Sequence, residues 1–128
     1  MIVSLDHVQL AMPHGEEAKA RAFYGELLGL EETEKPAVLK ARGGVWFKIA
    51  DFGLHLGVMQ DFIPATKAHP AFCVTNLDVL ANRLLSAKLD INWDDALTGV
   101  TRFYVFDPFG NRLEFLEASG IEPKNTIN

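Results

Sequence analysis

The sequence contains one cysteine, Cys73, so no disulfide can close within the chain, and a reducing compartment suits it. It is also short of positive charge: 12 Lys and Arg stand against 17 Asp and Glu, a formal net charge of −5. Phosphate binding needs a basic stripe, and none is present, which excludes nucleic acid as a partner. No window approaches the roughly 18 uninterrupted apolar residues of a membrane-spanning helix. The first residues carry no basic cluster, and Asp6 and His7 interrupt their apolar run, so they do not read as a secretory signal. Gly/Ser-rich linkers and low-complexity runs are missing too. What remains is a chain of 128 residues, 48% hydrophobic and 23% charged, a globular balance sized for one cytoplasmic domain.

The chain divides into two halves laid out alike, module one at about 1–60 and module two at about 68–118, with a polar tail at 119–128. Residues 2–10 alternate as a strand, and Pro13-His14-Gly15 breaks it. Glu16 and Glu17 suit a helix start, and Ala20, Phe23, Leu27 and Leu30 form the apolar stripe of that helix. After a variable stretch through Pro36 come strands at 45–49 and 54–58, joined by Asp51-Phe52-Gly53 read as a hairpin turn. The second half opens with a strand at 69–74. Asn76 caps a helix striped by Leu77, Leu80, Ala81 and Leu84. A weak strand follows at 91–93 and a strong one at 101–105, and the Asp107-Pro108-Phe109-Gly110 turn leads into 112–116. Each half reads as β-α-β-β-β.

Overlaying the halves sets His7 opposite His69, and the interval from His7 to His55 nearly matches that from His69 to Glu114. The first and last strands of both halves therefore carry a ligand-type side chain at matching positions. His55 lies between Leu54 and Leu56, and Glu114 between Leu113 and Phe115, so the polar residue faces away from its apolar neighbours. A lone polar residue on a strand is ordinarily a solvated one. Four related by a repeat point to one site. Three imidazoles and a carboxylate could hold Zn²⁺, Ni²⁺, Fe²⁺, Mn²⁺ or Co²⁺ with a position left open for substrate. His14, out of register at the start of the helix, is expected to be exposed.

The segments Leu5-Asp6-His7-Val8-Gln9-Leu10, Phe23-Tyr24-Gly25-Glu26-Leu27-Leu28-Gly29 and Asp107-Pro108-Phe109-Gly110-Asn111-Arg112-Leu113-Glu114 resemble the vicinal oxygen chelate superfamily. That superfamily includes glyoxalase I, fosfomycin-resistance transferases, bleomycin-resistance proteins and extradiol dioxygenases. The resemblance implies an α+β fold in which paired βαβββ modules form a curved mixed sheet, an open barrel with helices on its outer face. It further implies metal ligands at His7, His69 and Glu114, a fourth at His55, and a homodimer whose sites are often built from both chains. Glyoxalase I enzymes usually place a glutamate where His55 stands. The stretch Ala96-Leu97-Thr98-Gly99-Val100 lacks the acid of a fosfomycin-transferase potassium loop, and extradiol dioxygenases are longer chains.

Parity places further residues in the same cleft. Gln9 shares a face with His7. Arg102 and Tyr104 share one opposite Phe103 and Val105, so Arg102 either clamps a substrate anion or pairs with an acid. Trp46 is either an apolar wall or core, and Cys73 is expected to be buried. These readings add up to a metal-dependent, glyoxalase-like lyase or isomerase acting on a small substrate with vicinal oxygens. Glu114 and His55 are its candidate catalytic groups, and Gln9, Trp46, Arg102 and Tyr104 contact the substrate. The alternatives are a bleomycin-type binding protein without catalysis and a small Fe²⁺ dioxygenase.

Overall fold

A computed structural model describes residues 1–118; the tail at 119–128 lies outside the described residues. The fold is α+β, with two open four-stranded mixed sheets, as paired βαβββ modules require. The chain separates into two compact units. The first is Met1–His69 with the turn Phe106–Arg112, and the second is Pro70–Val105 with residues 113–118.

In the first unit, β1 (His7–Met12) runs parallel to β4 (Phe52–Val58), which pairs antiparallel with β3 (Val45–Ile49), and β3 with β2 (Glu31–Thr33). One face of this sheet carries Phe47 and Leu54, both buried. The helix α1 (Glu17–Ala20) continues as a π-helical segment (Arg21–Leu27), marked by the Leu28 N–H donating to the Phe23 carbonyl at 2.9 Å. The wider π turn changes the phase of the helix. Tyr24 is buried beside Ala20 and Phe23, while Leu27, expected in the stripe, is only half-buried. A second short helix, α2 (Ala37–Lys40), precedes β3. The link between them needs Gly44, whose φ is +90° and where a Cβ would lie 2.2 Å from the Leu56 carbonyl oxygen. The Glu17 carboxylate accepts the Gly44 N–H at 2.8 Å, and this bond holds its pKa below the usual carboxylate value.

Four sequence expectations need correction here. The first strand begins at His7 rather than Ile2, because β4 offers no residues to pair with the chain before it. The hairpin turn is Ala50-Asp51, with Ala50 at φ 48°, so Gly53 belongs to β4. The stretch read as variable contains β2, a three-residue edge strand. Cys73 is exposed, since on β5 the neighbouring Phe72 takes the inward direction and meets Phe115 at 5.4 Å.

In the second unit, β5 (Ala71–Val74) runs parallel to β8 (Arg112–Glu117), β8 neighbours β7 (Arg102–Phe106), and β7 pairs antiparallel with β6 (Asn92–Asp94). Helix α3 (Leu77–Ser86) buries Leu77, Leu80, Ala81 and Leu84, the stripe expected from its spacing. The Asn76 side chain caps it, accepting the Val79 N–H at 3.3 Å. Phe103, Val105, Leu113 and Phe115 complete this core. Among the described residues no helix is long and apolar enough to cross a membrane.

Candidate functional site

Strand register builds the site in the first unit. Thr33, Trp46, His55 and Gln9 follow one another across β2, β3, β4 and β1 in a single row. Glu31, Lys48, Gly53 and His7 form the next row on the same face. Within β4 this face therefore reads Gly53, His55, Gly57. The two glycines leave gaps on either side of the histidine. A Cβ on Gly53 would lie 2.8 Å from His55 Nε2, and one on Gly57 would lie 2.6 Å from Gln9 Nε2. The neighbouring side chains fill those gaps.

The His55 ring is held on both faces. It stacks on Trp46 at 3.9 Å and an interplanar angle of 2°, and on His7 at 4.4 Å and 18°. Only 9% of His55 is exposed. Burial, then the charge of His7, lowers its pKa from the ordinary histidine value, with Asp6 opposing and Lys35 assisting. His55 is therefore a neutral imidazole at pH 7. His7 is more open, and its Nδ1 donates to the Asp6 carboxylate at 2.9 Å. These residues line a pocket of about 590 Å³ together with Thr33, Lys48 and Phe52.

The other expected residues belong to β7, β8 and the residue just before β5. His69 stands just before β5, its Nδ1 2.9 Å from the Lys67 carbonyl oxygen. Glu114 on β8 is buried and accepts from Arg102 Nη1 at 3.2 Å, while Arg102 Nη2 lies 3.5 Å from Asp94. The Arg102 guanidinium also sits 5.6 Å from the Tyr104 ring centroid, and its buried Nε has no hydrogen-bond partner among the described residues. Of the two roles open to Arg102, pairing with an acid is the one observed. His14 is exposed, as expected. Sequence reasoning missed Asp6, Thr33, Lys48 and the two glycines. Their signal was parity: Gly53 and Gly57 stand two residues either side of His55 on one strand face.

Imidazoles and a carboxylate suit a divalent ion chemically. In the first unit the His7 and His55 rings stack nearly parallel, 4.4 Å apart. The Glu114 carboxylate is engaged by a cation. Among the described residues, no three His, Cys, Asp or Glu side chains gather so as to hold a metal.

Comparison with known proteins places the chain. The pattern of the Glyoxalase/Bleomycin resistance protein/Dioxygenase superfamily matches residues 4–115. A crystal structure of a glyoxalase family protein from Bacillus anthracis is 51% identical, with 91% of this chain and 96% of that one covered at a TM-score of 0.89. An oxidase, ChaP-H2, is 26% identical over 91% of this chain and 94% of its own, with a TM-score of 0.70. Lactoylglutathione lyase from Agrobacterium tumefaciens shares the fold at 20% identity and a TM-score of 0.71, with 94% and 97% covered. No curated protein matches. With the family pattern spanning both modules, the chain belongs to the Glyoxalase/Bleomycin resistance protein/Dioxygenase superfamily.

Proposed function

We propose that the chain is a glyoxalase-like enzyme of the lyase or isomerase type, acting on a small substrate with vicinal oxygens in the first-unit pocket. The observation that carries this reading is the Trp46–His55–His7 stack: a buried, neutral imidazole fixed on both faces at the wall of a pocket of about 590 Å³. Such a group is suited to take a proton from a carbon beside a carbonyl, since its imidazole already stands in the deprotonated, accepting form. Trp46 and His7 hold the ring, so its orientation costs no reorganisation during reaction. Asp6 orients the His7 ring through Nδ1. Lys48, on the same wall, is the cation available to a developing enediolate oxygen. The donor types of His7, His55, His69 and Glu114 would suit a divalent ion, which would act as a Lewis acid on the substrate oxygens. Proton transfer is assigned to His55, the imidazole fixed between Trp46 and His7 at the pocket wall.

The aromatic wall also favours a second reading, in which the pocket binds a flat molecule without turning it over, as bleomycin-type binders do. One experiment separates the two. Purified chain, with and without added divalent ions, is offered a hemithioacetal, fosfomycin with a thiol, and a catechol. Turnover of the hemithioacetal that falls about 10²–10⁴-fold in His55→Ala supports the enzyme reading. Saturable binding in the pocket with no turnover of any substrate overturns it in favour of the binder.

A further inference from the structure

The pocket that holds His55 has a neighbour in the same unit. A second recess of about 590 Å³ lies along β2 and α2, and Thr33 and Trp46 line both spaces. Its charged lining is Arg21, Lys35 and Lys40 with Glu32 and Glu34, an excess of one positive charge in a chain whose net charge is −5. Pairing locates that excess. Arg21 Nε donates to both oxygens of the Glu32 carboxylate, at 2.9 and 3.2 Å, and Lys40 lies 2.7 Å from Glu34. Lys35 instead donates to the Gly43 carbonyl, a neutral acceptor. An ammonium has three N–H donors, so one serves Gly43 and two can serve a ligand. Lys35 is half-buried, and partial removal from water strengthens its attraction for an anion. Thr33, two residues earlier, adds a hydroxyl donor to the same wall.

The sheet also sets the distance between this cation and the base. Thr33, Trp46 and His55 occupy one row on β2, β3 and β4, so His55 and Thr33 stand two strand spacings apart, about 9–10 Å. Trp46 lies between them. After burial and His7, and against Asp6, Lys35 is among the charges acting on the His55 pKa, so its field reaches the base. A ligand that bridges the two spaces therefore has an anion at one end, a flat apolar middle along the indole, and its reacting carbon at the other end. Arg102, the other candidate for an anion clamp, is already engaged by Glu114 and Asp94.

We propose that Lys35 and Thr33 form a carboxylate subsite, and that the substrate of the His55 pocket is a monocarboxylate whose acid group lies roughly 8–10 Å from the reacting carbon across a flat apolar spacer. The reacting end rests on the reading of the pocket as the reaction site; the subsite rests on Lys35 alone. One unmatched positive charge calls for one carboxylate. A neutral ligand leaves the ammonium without a counter-charge, and a second carboxylate would meet only cations that Glu32 and Glu34 already hold.

Titration calorimetry on the full chain tests the proposal with two unreactive probes of one shape, 4-(methylthiomethyl)benzoate and the corresponding primary amide. The wild type is expected to bind the benzoate at least about 10-fold more tightly, as a hydrogen bond to a charged group implies. Lys35→Gln is expected to bring the two affinities within about 2-fold of each other, with an unchanged far-ultraviolet circular dichroism spectrum. Lys35→Arg, which keeps the charge, is expected to retain the preference. On the wild type itself, the NMR signal of the Lys35 ε-methylene should move with the benzoate and not with the amide, a readout that needs no variant. Equal affinities in the wild type, no measurable binding of the benzoate, a preference that survives Lys35→Gln, or a Lys35 signal that ignores the benzoate each overturn the subsite. A chain that shows the Lys35-dependent preference but turns over no hemithioacetal supports the subsite and overturns the catalytic reading, so the two failures are read separately.

Discussion

The Tyr24 hydroxyl donates to the Asp107 carboxylate at 2.6 Å, and both residues are buried. The bond joins two segments that the sequence presents as separate motifs, the helix with Phe23-Tyr24 and the Asp107-Pro108-Phe109-Gly110 turn. Asp107 is the centre of a small network. Its other oxygen accepts the Phe109 and Asn111 N–H groups at 2.9 and 2.8 Å. The Asn111 side chain in turn donates to the Ala11 carbonyl on β1 at 2.8 Å and accepts the Ala65 N–H at 3.0 Å. This is how a turn late in the chain becomes part of the first unit. Burial and the Asp107 charge push the Tyr24 pKa well above its ordinary value, so the hydroxyl remains a donor at any working pH.

Tyr24→Phe is therefore expected to cost about 1.5–3 kcal/mol, the range for a hydrogen bond to a charged acceptor left partly unsatisfied. Urea unfolding should show a lower midpoint with an unchanged slope. A midpoint within error of wild type would mean that the Asn111 donors alone satisfy Asp107.

Gly53→Ala tests the packing of the site. Its φ is not in the left-handed region, so alanine is tolerated by the backbone, but the added Cβ would lie 2.8 Å from His55 Nε2. The ring cannot tilt freely because Trp46 and His7 sandwich it. The expected result is displacement of His55 from the Trp46 face, read as a downfield move of its ring protons in NMR spectra as the indole ring current is lost. Activity on the hemithioacetal should fall together with that shift, while the fold is kept. Unmoved His55 resonances would show that the ring does not occupy the space above Gly53.

How much of this was legible in the sequence depended on length and on neighbours. β3, β4, β7, β8 and α3 declared themselves through clean periodicity, and α3 through its Asn76 cap. β2 did not, because Glu31-Glu32-Thr33 is three residues of an edge strand with no apolar face to reveal it. The N-terminal residues show the converse: alternation predicts a strand, but a strand needs a neighbour, and β4 ends too soon. Parity placed His7 and His55 on one face. It could not place Trp46 against His55, since that depends on cross-strand register set by the Ala50-Asp51 turn. Nor could it foresee that Glu114 would be engaged by Arg102.

The Glu17–Gly44 bond gives a pH signature. Its folded-state pKa is lowered, chiefly by accepting the Gly44 N–H, so the bond stabilises the fold fully above the ordinary carboxylate value of 4.5. That contribution shrinks as pH falls below 4.5 and is lost once pH passes through the folded value. Glu17→Gln is expected to be about 1 kcal/mol less stable at pH 7, the low end of the range because the group is partly exposed to solvent. The gap should close in acid. Chemical denaturation of both proteins between pH 7 and pH 3 checks this, and a gap that does not change with pH would assign the loss to shape rather than charge.

The Arg102–Glu114 pair can be tested by a double-mutant cycle. Glu114 is buried, and Arg102 supplies its neighbouring cation while also reaching Asp94. Arg102→Met leaves that carboxylate without its cation, a change that destabilises more than the pair itself stabilises, because the remaining charge stays desolvated. The expected order of melting temperature is wild type highest and Arg102→Met lowest. Arg102→Met/Glu114→Leu should recover more than half of the loss, since two apolar side chains of similar volume need no partner. If instead the double variant melts no higher than Arg102→Met, then Glu114 is stabilised by its other contacts and the arginine is not what holds it.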